Sequence, residues 1–93
     1  MLDSAAPNGP GQRILQELVF YTTVGCHLCE EAEVLLRALR DSGEPLSWSA
    51  VDIADDDGLF ARYGWSIPVL RRTDAAELAW PFGIDELRRF VRA

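Results

Sequence analysis

The chain has 93 residues, enough for one small domain with a modest core and too few for a second module. Nine basic against fifteen acidic residues leave a formal charge of −6, which disfavours nucleic acid and anionic lipid as partners, and 48% hydrophobic content suits a packed domain rather than a disordered chain. No apolar stretch approaches the roughly 20 residues of a membrane span, and Met1-Leu2-Asp3-Ser4 lacks the basic and apolar segments of a secretory signal, so a cytoplasmic protein without a membrane partner is expected.

In chain order, residues 1–16 are rich in Pro, Gly and small polar side chains (Ala5-Ala6-Pro7-Asn8-Gly9-Pro10-Gly11) and have no apolar period. They predict a flexible extension ahead of a domain over 17–93. Leu18-Val19-Phe20-Tyr21 predicts a first strand near 18–22, and Cys26-His27-Leu28-Cys29 follows it. Ala32, Leu35, Leu36 and Leu39 recur at helical spacing while Glu30, Glu31, Glu33, Arg37 and Arg40 take other faces, which predicts an amphipathic helix. It should end at Ser42-Gly43, where glycine suits a left-handed cap, and Pro45 blocks its continuation.

Leu46, Trp48 and Ala50 alternate with Ser47, Ser49 and Val51, predicting a second strand over 46–53. Asp55-Asp56-Asp57 reads as the capped, solvated start of a short helix through Leu59, Phe60 and Tyr63, ending at Gly64. Residues 68–72 and 77–80, joined by Thr73-Asp74-Ala75-Ala76, predict an antiparallel hairpin with Arg71 and Arg72 in solvent. Ile84, Leu87, Phe90 and Val91 predict a last helix, with Asp85 and Glu86 near its start and Arg88, Arg89 and Arg92 near its end. The order is β-α-β-α-β-β-α: an α/β domain with a four-stranded mixed sheet, the first two strands parallel through a right-handed crossover and helices on both faces.

The only two cysteines stand where a strand gives way to a helix. Cys26 falls at the helix start, where free backbone N–H groups and the positive end of the helix dipole favour an anion such as a thiolate. Such a setting lowers a cysteine pKa from about 8.5 to between roughly 3.5 and 7.5. Cys26 is therefore the candidate nucleophile and Cys29, three residues on along the same face, the candidate resolving thiol. His27 is a candidate charge partner or proton carrier for the thiolate, and equally an exposed side chain. Glu30 and Glu31 oppose a nearby anion but read as solvated helix residues. Zinc would need four ligands, and Cys26, Cys29 and the only histidine supply three.

With these features in place the chain resembles the glutaredoxin-like proteins of the thioredoxin superfamily, in particular their small bacterial group. The resemblance is carried by residues 21–29 around the cysteine pair, by Val51-Asp52-Ile53, by residues 63–70 (Tyr63-Gly64-Trp65-Ser66-Ile67-Pro68-Val69-Leu70) and by residues 80–85 (Trp80-Pro81-Phe82-Gly83-Ile84-Asp85). It implies the thioredoxin or glutaredoxin fold, a cis bond before Pro68, and pairing of the Ile67 backbone with an extended thiol substrate. It also implies that Gly83, Ile84 and Asp85 form a site for the amino acid end of glutathione. Trp65, just ahead of the Pro68 loop, is a candidate to line a substrate groove. The pair between the cysteines is His27-Leu28 where glutathione-using members usually carry Pro-Tyr or Pro-Phe.

The leading expectation is a monomeric thiol–disulfide oxidoreductase that takes a protein or small-molecule disulfide and is returned to the dithiol by an external thiol reductant. Glutathione is a candidate co-substrate, and neither a bound cofactor nor a metal is expected. The rivals are a binding module of the same fold with little turnover, and a metal-carrying or redox-sensing protein.

Overall fold

A computed structural model of the protein describes residues 15–93, so most of the expected 1–16 extension lies outside the described residues. The elements are β1 (Gln16–Thr22), α1 (His27–Asp41), β2 (Leu46–Asp52), a 3-10 turn (Ile53–Asp55), α2 (Asp57–Tyr63), β3 (Val69–Arg71), β4 (Glu77–Ala79) and α3 (Ile84–Arg92). The four strands form one sheet in the order β2-β1-β3-β4. β1 runs parallel to β2 and antiparallel to β3, and β3 and β4 close the hairpin. The mixed sheet and the order of elements match the sequence expectation. β1 starts two residues earlier than predicted because Gln16 pairs with Leu46 and its N–H reaches the Pro45 carbonyl at 2.9 Å. At the other end Ile53 leaves β2 to open the 3-10 turn, where Asp52 accepts the Ala54 N–H at 2.9 Å.

Strand alternation sorts the core into two layers. Leu18 and Phe20 of β1 and Leu70 of β3 bury toward α1 and α3, meeting Ala32, Leu36 and Leu39 of the first helix and Leu87 and Val91 of the last. Tyr21 and Val69, one residue along their strands, bury on the other face with Ile53 and with Tyr63 of α2. The Tyr21 and Tyr63 rings stack at 4.3 Å between centroids. A central strand covered on both faces explains why Leu18-Val19-Phe20-Tyr21 is a continuous apolar run.

Each helix has a boundary set by a local reason. Ser42 caps α1 and Gly43 follows with φ +107°, in the region glycine enters without the clash a Cβ would cause. Asp56 caps α2, its carboxylate accepting the Leu59 N–H at 3.0 Å. In α3 the Glu86 side chain reaches back to the Gly83 N–H at 3.4 Å.

One expectation is corrected here. Arg72 is not a solvated hairpin residue: its side chain is 12% exposed, pairs with Asp74 at 2.6 Å, and donates from Nη1 to the Phe90 carbonyl of α3 at 2.8 Å. Its guanidinium lies over the Phe90 ring at 4.9 Å. The pairing, together with the Ala76 N–H, holds the Asp74 carboxyl down at about 2. A second tie fastens α3 at its far end, where Arg92 meets the buried Glu44 carboxylate at 2.9 Å. Among the described residues, no helix is long and apolar enough to cross a membrane.

Candidate functional site

Cys26 and Cys29 are joined as a disulfide, with their Cα atoms 5.2 Å apart. The local sequence dictates this meeting. Gly25 takes φ +79°, which turns the chain out of the β1 end, and Cys26 then adopts the extended geometry of an N-cap. Its Sγ accepts the Cys29 backbone N–H at 3.1 Å, and its carbonyl accepts the Glu30 N–H at 3.2 Å. The sulfur thus occupies the place a serine or aspartate oxygen fills in an ordinary cap, facing an unpaired N–H and the positive end of a 15-residue helix. Cys26 is half-buried, whereas Cys29 is 3% exposed and belongs to the α1-side core. The loop before them is fastened by a bond from the Thr23 hydroxyl to the Asp52 carboxylate, 3.0 Å long, across the parallel β1–β2 pair.

The other predicted residues divide. His27 is the first residue of α1 rather than part of the loop; it is exposed, with its ring nitrogens 4.0 Å from Glu30 and 3.3 Å from Glu31. The Ile67-Pro68 bond is cis and Pro68 is fully buried. Ile67 packs against the same core cluster that contains Cys29 and borders Cys26, and Ile84 joins that cluster from the start of α3. Gly83 is the exposed N-cap of α3, and the Asp85 carboxylate is engaged by Arg88 at 2.8 Å. Trp65 stands fully exposed in the loop ahead of Pro68. That loop hangs on α2: the Tyr63 carbonyl accepts the Ser66 and Ile67 N–H groups at 2.8 and 3.1 Å. The Tyr63 hydroxyl donates to Glu77 of β4, and burial together with that carboxylate pushes its pKa up.

Beside the disulfide, away from the Pro68 loop, lies a cleft of about 310 Å³. It is bounded by the 22–25 loop, both cysteines, Glu30 and Glu33 of α1, and Ala50 of β2. Sequence reading missed Thr23, Glu33 and Ala50 as neighbours of the pair. Glu33 and Thr23 had a signal, since one lies a helical turn beyond Cys29 and the other three residues before Cys26, whose N–H its carbonyl accepts at 3.4 Å; Ala50 reaches the site only through strand pairing and had none. Among the described residues, no group of three or more His, Cys, Asp or Glu side chains is arranged to hold a metal ion.

Comparison with known proteins agrees with this fold. The family model described as Glutaredoxin-like domain (DUF836) matches residues 17–92. The X-ray structure of target protein XcR50 from X. campestris is 38% identical, covers 78% of this chain and 92% of its own, and superposes with a TM-score of 0.70. The solution structure of protein Ne2328 from Nitrosomonas europaea is 28% identical, covers 86% and 95%, and reaches a TM-score of 0.73. Thioredoxin O2 from Arabidopsis thaliana, in its oxidized state, is similar at 20% identity and a TM-score of 0.56 over 82% of this chain and 71% of its own, a likeness of fold alone. A search among curated proteins found no match. With the domain match running from the start of β1 into the last turn of α3, the chain belongs to the glutaredoxin-like domain family.

Proposed function

We propose that the protein is a thiol–disulfide oxidoreductase working in the cytoplasm as a monomer. In the reduced state the Cys26 thiolate attacks one sulfur of a substrate disulfide and the other sulfur leaves as a thiolate. Cys29, deprotonated, then attacks Cys26 Sγ, releases the second substrate sulfur and leaves the Cys26–Cys29 disulfide. Two electrons pass from the protein to the substrate, and the two protons end on the released thiols. An external thiol reductant reverses these steps to restore the dithiol.

The observation that carries this reading is the Cys26 Sγ at the α1 cap, aligned with the Cys29 N–H at 3.1 Å. The hydrogen bond and the helix terminus both favour a thiolate there. Burial of Cys29 separates attacking from resolving roles. The Ile67 carbonyl and the Gly83-Ile84-Asp85 helix start serve as the substrate-facing groups in this reading; the Ile67 N–H is held by the Tyr63 carbonyl at 3.1 Å, and Asp85 must share its carboxylate with Arg88.

The test is stoichiometric. Protein reduced with dithiothreitol and freed of it is mixed with the neutral bis(2-hydroxyethyl) disulfide. The expected result is two thiols released per protein as both cysteines oxidise, faster than with a small free thiol at equal concentration, and none through the internal disulfide in Cys26→Ser. A wild-type rate no higher than that of the free thiol would favour a binding module with inert cysteines.

A further inference from the structure

We infer that the acidic cleft on the β2 side receives residues flanking the substrate disulfide, and that the preferred substrate is a peptide or protein disulfide flanked by cationic side chains. This rests on the oxidoreductase reading above and adds to it the charge of the substrate.

The chain distributes its charge unevenly. It has no lysine, and all nine of its basic residues are arginines. The 26–33 segment carries Glu30, Glu31 and Glu33, and the 52–57 segment carries Asp52, Asp55, Asp56 and Asp57; neither contains an arginine. Parallel pairing sets Thr22 beside Asp52, so both segments emerge from the same end of the sheet, the end that holds Cys26. Among the described residues, the cations facing these carboxylates are few. Arg37 pairs with Glu33 at 3.3 Å, and His27 lies between Glu30 and Glu31.

The cleft sharpens that field into a site. Glu30 and Glu33 line it together with Cys26 and Cys29, so a ligand seated there lies between acidic residues and the reacting pair. Nothing from residues 63–93 lines it, so it adds a further surface beside the pair to the groups that face substrate from the Pro68 loop and the α3 start. A concave site of one sign, walled by protein, raises the local concentration of oppositely charged ligands and their encounter rates by roughly 10- to 1,000-fold. Cationic disulfides gain from it. Anionic ones, such as glutathione disulfide, are repelled at the same step.

Three disulfides of similar size and different charge test this: cystamine (cationic), bis(2-hydroxyethyl) disulfide (neutral) and 3,3′-dithiodipropionate (anionic). Single-turnover rates of the reduced protein are divided by those of a small neutral thiol, which removes intrinsic reactivity. The cystamine rate should exceed the dithiodipropionate rate by about tenfold or more at low salt. The ratio should shrink toward one as salt shortens the screening length to about 3 Å at 1 M. Glu30→Gln/Glu33→Gln should lower the ratio by about threefold or more. Asp41→Asn, a neutralisation at the far end of α1, should leave it nearly unchanged. Taking the ratio cancels any change the variants make in Cys26 itself. A ratio near one, an inverted ratio, or one that the double variant does not move would overturn the inference while leaving the oxidoreductase reading standing. Absence of exchange with all three, the neutral one included, would overturn both.

Discussion

Replacing Cys29 with serine is expected to stop the reaction halfway and leave a stable mixed disulfide on Cys26. Cys29 is the only other cysteine of the chain and its sulfur is paired with Cys26 Sγ, so without it the first exchange has no internal second step. After incubation with one disulfide substrate and removal of excess, intact-mass analysis should show the protein plus one substrate half, released by dithiothreitol. Cys26→Ser should trap essentially none, because Cys29 is 3% exposed and its sulfur faces the core. The contrast should be nearly all or none. Equal trapping by the two variants would remove the ordered mechanism.

Leu70→Ala is expected to give the largest loss of stability among simple truncations. Leu70 is fully buried in β3, pairs across the sheet with Phe20 on one side and Leu78 on the other, and belongs to the layer that meets α1 and α3. The sheet fixes its backbone on both flanks, so the space left by the side chain is hard to close, and such truncations cost about 2–5 kcal/mol. Urea unfolding of the oxidised proteins should show that loss with an unchanged denaturant slope. A loss under about 1 kcal/mol would mean that the two-layer packing described above is wrong at its centre.

The parts of this molecule legible in its sequence are those governed by neighbours along the chain. The apolar spacing of Ala32, Leu36 and Leu39, the Gly43 stop, the Asp56 cap and the position of Cys26 at the start of α1 all arise within a few residues and read directly. So did the parallel β1–β2 pair, because a helix between two strands leaves little choice. What could not be read joins distant segments. Arg72 looks like a surface charge until α3 folds back and offers the Phe90 carbonyl. Glu44 looks solvated until Arg92, 48 positions away, covers it. The cleft beside the disulfide has in part the same origin, since Ala50 carries no mark of its proximity before β2 lies beside β1.

The pocket-side residues also show why a motif is not yet a site. C-x-x-C locates the sulfurs, but which one is presented to solvent follows from helix direction: the residue at the cap faces outward and the one a turn later faces the sheet. The claim that Cys26 is the activated nucleophile is therefore tested most directly by the order of alkylation in the reduced protein. Sub-stoichiometric iodoacetamide, followed by peptide mapping over a pH series, should label Cys26 before Cys29 at every pH. Cys26 should react well below the roughly 8.5 at which a free cysteine ionises. Faster labelling of Cys29, or Cys26 reactivity that rises only above that pH, would contradict the account.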